Sequence, residues 1–194
     1  MALADNCANA CYRDINMPLD PTQPPLFREV TEQDHALGPS TAPITLLEFG
    51  DYECPDCGNA YPVIKRLIAE MGPRLRFVFR NFPLSNVHPH ASVAAQAAEA
   101  AAAQGKFWEM HDLLYEHQRE LADIEMSKFA LRIGLEIYRF DADLASERFS
   151  RRVTSDYESG VRSGVTGTPT FFANGVRYVG EKDYQTMKAA LDQL

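Results

Sequence analysis

No apolar run in this 194-residue chain approaches the roughly 18–20 residues a helix needs to cross a bilayer. The first residues, MALADNCANACYRD, lack a cationic start followed by an apolar core, so they do not read as a secretory signal. Taken as it stands, the sequence is expected to be cytoplasmic. A periplasmic or other extracytoplasmic place is the alternative if a leader has been removed. Basic clusters are missing too. With 19 Lys and Arg against 27 Asp and Glu, the net charge is −8, which excludes nucleic acid as the expected partner. Cysteine is scarce, at four residues. A chain of this length can bury a sizeable core without disulfide staples, so those four need another explanation. There is no internal repeat. What remains is an ordinary globular mix, 45% hydrophobic and 24% charged, enough for one domain with an insertion or two small ones.

Residues 1–25 hold Cys7, Cys11 and four prolines, Pro18, Pro21, Pro24 and Pro25, and read as an extended arm. LFREV (26–30) is expected to be a short strand. ITLLEFG (44–50) is nearly continuously apolar, the pattern of a buried central strand. A helix should start at Cys54, with Pro55 in its first turn, where the missing N–H costs nothing. Tyr61, Ile64, Leu67, Ile68 and Met71 then recur at helical spacing until Gly72-Pro73 ends the run. LRFVFRNF (75–82) follows as a strand, with Phe77 and Phe79 alternating against Arg76, Val78 and Arg80. Strand, helix, strand in under about 40 residues is a βαβ unit. A helical stretch comes next: 90–105, 106–118, 126–134 and two segments across 141–163. TFFANGVRYVG (170–180) returns to strand chemistry, with Asn174-Gly175 marking a tight hairpin. An amphipathic helix closes the chain at 182–194. The fold class is therefore α/β, βαβ…ββα, with an inserted all-helical subdomain. The expected divisions are 1–25 for the arm, 26–83 for the first half, 84–165 for the insertion and 166–194 for the second half.

Cys54 and Cys57 enclose Pro55 and Asp56 in CPDC. Zinc binding would call for a second cysteine pair or two well-placed histidines. His111 and His117 fall on different faces of their helix. A structural disulfide closing so small a loop would gain little chain entropy. Redox chemistry has a mechanism. A sulfur at a helix N-terminus faces unpaired N–H groups and the positive end of the helix dipole, which favour thiolate over thiol. Cys57, one turn on, can then resolve a mixed disulfide formed at Cys54. Asp56, with Glu53 and Asp51 nearby, is expected to raise the pKa of Cys54 and make the pair a milder oxidant.

APITLLEFGDYECPDC, GKFWEMHDLLYEHQ and GVTGTPTFFANGVRYVG occur in that order and together resemble the DsbA-like thiol–disulfide oxidoreductases, which have a thioredoxin fold with a helical insertion. The similarity runs from about Phe27 to the C-terminus. It implies that Cys54 is the exposed nucleophile and Cys57 the resolving thiol. It implies that Pro169 is the cis-proline beside the cysteines, and that Thr168 offers its backbone to an extended substrate. Glu48, on the buried strand, is similar to the family's buried carboxylate, a proton acceptor for the resolving thiol. One departure is the place of Asp56, where strongly oxidising members carry His.

The function expected is therefore disulfide exchange with protein or low-molecular-weight thiols, by an enzyme that needs no cofactor and no metal, acting as a monomer or weak dimer. The alternative is a peptide- or metal-binding module without turnover. Cys7 and Cys11 are a candidate accessory redox pair. The direction is open. Asp56 and the missing signal point to a reductase, the fold and family to an oxidase.

Overall fold

The computed structural model describes residues 18–121 and 125–194. Six strands form one sheet: β1 (Leu19–Asp20), β2 (His35–Leu37), β3 (Ile44–Gly50), β4 (Leu75–Asn81), β5 (Thr170–Ala173) and β6 (Val176–Tyr178). Their order is β1-β6-β5-β3-β4-β2. The apolar run ITLLEFG becomes β3 and lies inside the sheet. It pairs parallel with β4, Ile44 opposite Leu75, and antiparallel with β5, Leu47 opposite Phe172. The parallel pair needs a crossover, which α1 (Pro55–Met71) supplies. Asn174 (φ 48°) and Gly175 (φ 81°) make the tight turn between β5 and β6, as their dipeptide predicts.

Between β4 and β5 come α2 (Ala91–Ala102), α3 (Phe107–Glu116), α4 (Met126–Arg132), α5 (Ile137–Ala145) and α6 (Ser150–Arg162), and α7 (Tyr184–Leu191) follows β6. The alternation of β3 sorts the core. Leu46 joins α1, α3 and α7 on one face, while Leu47 and Phe49 pack with Val78, Phe82 and Phe172 on the other. Alanine makes α2 a close-packed helix, with eight of its residues buried. The fold is the expected thioredoxin-like α/β arrangement with inserted helices. No helix among the described residues is long and apolar enough to cross a membrane.

LFREV is not a strand. Its carbonyls at Arg28 and Glu29 accept from the Arg80 guanidinium at 2.8 and 2.9 Å, so the segment satisfies its backbone through a side chain instead of a ladder. Arg80 is itself fully buried on β4 and pairs with Asp34 through Nε at 2.7 Å and Nη2 at 3.0 Å. The expected alternation of Arg80 to solvent therefore fails: Phe77 through Asn81 are all buried, as in a strand covered on both faces. Two edge strands were not foreseen. β2 pairs with β4, and β1, inside the segment read as an arm, pairs with β6.

α6 crosses the sheet closely at Gly160. A Cβ there would stand 2.6 Å from the Phe82 ring and 3.0 Å from Phe49. Both rings are buried and have no room to turn aside. Gly160→Ala should lower unfolding stability by about 1–3 kcal/mol in urea titration. An unchanged midpoint would mean that α6 sits further from the sheet.

Candidate active site

β3 ends at Gly50, and residues 51–54 turn the chain from its carboxyl end into α1. Cys54 N–H donates to Asp51 O at 3.2 Å, and Cys54 is the extended N-cap residue of α1 with Pro55 next to it. The turn is held from outside by a residue that sequence reasoning missed. Gln118 Nε2 donates to Tyr52 O at 2.9 Å and to Cys54 O at 2.8 Å. Its amide oxygen occupies the space a side chain at position 58 would need, which explains Gly58. Nothing in the sequence signals a Gln this distant. Tyr52 is buried beneath the turn, its hydroxyl 3.1 Å from His111 Nδ1.

Both cysteines are free thiols. Cys54 is 6% exposed and Cys57 not at all. In the thiol form Cys54 Sγ donates to Thr168 O at 3.3 Å, and Asp51 N–H approaches Cys57 Sγ at 3.5 Å. The Thr168–Pro169 bond is cis. The Thr168 hydroxyl is buried with no hydrogen-bond partner of regular geometry among the described residues, near enough to Cys54 to bear on its sulfur.

The two sulfurs differ sharply in acidity. The Cys57 thiol donates to the Cys54 sulfur, and the Thr168 hydroxyl and the backbone N–H groups of Cys57 and Asp56 add to it. Together these overcome partial burial and bring the Cys54 pKa down to about 5. Burial, with the same hydrogen bond seen from the other side, pushes Cys57 well above the ordinary thiol value. Glu48 is 3% exposed behind them, on the face of β3 that α1 covers. Burial, and then the charge of Cys54, raise its pKa to about 8.

Asp56 does not act as its letter suggests. Its side chain is exposed, and it is the backbone N–H of that residue which bears on Cys54, lowering its pKa. The other two acids of the motif have partners of their own. Asp51 accepts from Glu53 N–H, Leu84 N–H and His88 Nδ1, each at 2.8 Å. Glu53 accepts from His90 N–H at 2.6 Å and lies 2.8 Å from His90 Nδ1. Burial works against the charge on His88, but the hydrogen bond to Asp51 and the negative charges of Asp51, Cys54 and Glu53 together outweigh it and raise the His88 pKa. The pair of histidines around Pro89 was visible in the sequence. Their partners across the fold were not. Cys7 and Cys11 lie outside the described residues.

The family described as thioredoxin matches residues 30–193, and the chain belongs to it. Among curated proteins, the sequence is 43% identical over 178 residues to the Na(+)/H(+) antiporter NhaA 1 of Salinispora arenicola, covering 92% of this chain and 26% of the relative. It is 41% identical to NhaA 1 of Mycolicibacterium vanbaalenii, covering 90% and 29%. The chain thus spans about a quarter of the length of the curated relatives it matches. Among solved structures, oxidised BdbD from Bacillus subtilis superposes with a TM-score of 0.73 at 24% identity, covering 82% of this chain and 91% of that one. Pseudomonas aeruginosa DsbA2 does so with 0.69 at 22%, covering 85% and 96%. At these identities the likeness is one of fold.

The low pKa of Cys54 has a definite sign for stability. The thiolate favours the folded reduced protein. That contribution is complete above the ordinary thiol value near 9 and is lost as pH falls through about 5. The unfolding midpoint of the reduced protein, relative to the oxidised one, should therefore fall as pH is lowered from 7 to 4. Thiolate absorbance in the far ultraviolet should titrate near pH 5 and vanish in Cys54→Ser. A titration near pH 9 would contradict the site geometry.

Proposed function

We propose that this member of the thioredoxin family is a thiol–disulfide oxidoreductase that donates disulfides to protein or low-molecular-weight thiols. The observation that carries the reading is the Cys54 sulfur, largely buried at the N-terminus of α1 and set against Thr168, with its pKa brought down to about 5. A stabilised thiolate favours the dithiol over the disulfide, so the oxidised pair gives up its disulfide readily. This supports the oxidising direction over the reductase role that Asp56 suggested.

In the proposed cycle a substrate thiolate attacks Cys54 Sγ of the Cys54–Cys57 disulfide. The S–S bond breaks and Cys57 leaves with the electron pair. Cys57 is buried and strongly prefers to be protonated. Glu48, with a pKa near 8, is the group suited to supply that proton. A second substrate thiolate then attacks the substrate sulfur of the mixed disulfide, and Cys54 departs as the stabilised thiolate. Two substrate thiols are oxidised and the pair is reduced, two electrons in all. In this reading Thr168 pairs its backbone with an extended substrate strand. Pro55 occupies the first helical position, where its missing N–H costs nothing, and the N–H groups of Asp56 and Cys57 that follow bear on the sulfur.

The reduction potential of Cys54–Cys57 is expected between about −180 and −120 mV, where other strong oxidants of this fold lie. A value near −270 mV would reverse the direction. Catalysed oxidation of a reduced unfolded protein should be abolished in Cys54→Ser.

Glu48→Gln separates proton transfer from stability. The raised folded pKa of Glu48 means its neutral form is favoured. Its contribution is complete below 4.5 and lost as pH rises through about 8, so at pH 7 the carboxyl costs stability. The variant should gain about 1–3 kcal/mol at pH 7. It should also release Cys57 more slowly, by about 10²-fold. Unchanged kinetics would remove Glu48 from the proton path.

A further inference from the structure

The loop between β4 and α2 is tied to the turn that presents the cysteines. Leu84 N–H and His88 Nδ1 each meet Asp51 Oδ2 at 2.8 Å. His90 meets Glu53 through its N–H at 2.6 Å and through Nδ1 at 2.8 Å. The backbone of His88 is fixed as well. Its N–H donates to Leu84 O at 2.9 Å, and its carbonyl accepts from Ala91 N–H, at the start of α2, at 3.2 Å. Asp51 in turn touches both cysteines. Its carbonyl accepts from Cys54 N–H at 3.2 Å, and its own N–H approaches Cys57 Sγ at 3.5 Å. One residue thus stands between the His88 ring and the dithiol.

The Asp51 side chain has no exposed surface, and that of His88 is 17% exposed. A carboxylate shut away from water is costly to ionise unless a cation or several donors meet it. Asp51 has two backbone donors, Glu53 N–H and Leu84 N–H, and one partner able to carry a positive charge, His88. The charges that bear on the ring sit on the turn: Asp51, Cys54 and Glu53. His90, on the same loop, is paired with Glu53. Towards α6 the loop lines a depression with Val153, Thr154 and Tyr157, and no Asp, Glu, Lys, Arg or His lines it. A positive His88 therefore faces the negative groups of the turn. Cys54 is the one among them whose charge appears on reduction and vanishes on oxidation.

We propose that His88 is a positioning residue of the redox centre: held on Asp51, its imidazolium is the countercharge that the Cys54 thiolate meets across the turn. This rests on the reading of Cys54–Cys57 as a redox centre. The coupling is reciprocal. Whatever the thiolate adds to the basicity of His88, the charged ring takes from the pKa of Cys54. Reduction of the disulfide by two electrons yields the Cys54 thiolate and the Cys57 thiol, with one proton taken up at Cys57. Near the pH at which the ring titrates, His88 takes up part of a second proton as the thiolate forms. The ring acts across the turn, so its effect on Cys54 is smaller than that of the donors in contact with the sulfur.

The test begins with the unchanged chain. The His88 ring is titrated by NMR in the oxidised and in the reduced protein. Its pKa is expected to be higher in the reduced protein by about half a unit to one unit, the size of a charge pair acting across a partly shielded turn. Thiolate absorbance is then titrated in the unchanged chain and in His88→Asn. Asparagine offers an amide N–H in place of Nδ1–H, so the bond to Asp51 is kept and the charge removed. Cys54 should titrate higher in this variant by the same amount. The dithiol becomes about 3–10-fold less favoured, which lowers the potential by about 15–30 mV. A histidine that only braced the loop would change stability and leave these quantities alone. Equal His88 pKa values in the two redox states would overturn the proposal, with no substitution needed. A Cys54 pKa unmoved in His88→Asn would overturn it too. Both results leave disulfide exchange at Cys54 intact. Titration of Cys54 near 9 in the unchanged chain would overturn the proposal together with the redox reading.

Discussion

An α-helix begins with N–H groups that have no partner in the helix, and α1 begins without a side-chain oxygen to meet them. The sulfur of Cys54 stands at that end. The Cys57 thiol first, then the Thr168 hydroxyl and the N–H groups of Cys57 and Asp56, hold it as a thiolate, and the thiolate in turn serves those helix donors. Capping and ionisation are therefore one interaction. Oxidation to a disulfide discharges the sulfur and weakens the cap. In the proposed function this cost favours the dithiol, and it ties redox behaviour to the stability of a helix that carries much of one face of the core.

The rest of the site keeps that interaction one-sided. Were Cys57 as accessible as Cys54, either thiol could ionise and the hydrogen bond between them would have no fixed direction. Burial of Cys57 settles it: the deeper sulfur keeps its proton and points it at the outer one. In the proposed cycle the same burial is what calls for Glu48, since a thiol shut away from water must exchange its proton with something nearby. The helical insertion contributes as well. Gln118 follows α3 and fixes both carbonyls of the turn that presents Cys54, and His111 of α3 holds Tyr52 beneath it.

Elements set by local chemistry were readable in the chain: the apolar β3, the proline-led start of α1, and the Asn174-Gly175 turn. Cys54, Cys57, Glu48 and the Thr168-Pro169 step are brought together by the fold, although only the two cysteines are neighbours in sequence. What failed to show was whatever depends on a partner far away. LFREV has strand composition, but a buried arginine some fifty residues on takes its carbonyls. β2 and β1 are two or three residues long, too short for any period to register. Gln118 is an unremarked polar residue until the turn above it is seen.

The acids around CPDC show why counting charges along a sequence misleads. Glu48, Asp51, Glu53 and Asp56 all lie within six residues of Cys54, and Coulomb's law alone would hold its thiol protonated. Each is dealt with differently. Glu48 is kept largely neutral by burial. Asp51 and Glu53 are spent on backbone N–H groups and on His88 and His90. Asp56 projects into solvent, where water and salt screen it. Against these weakened or neutralised charges, the sulfur has donors in direct contact. A hydrogen bond to an ionised group contributes about 1.5–3 kcal/mol, while an exposed charge pair contributes about 0–1. Contact donors therefore prevail, and the acidic surroundings leave a thiolate at Cys54.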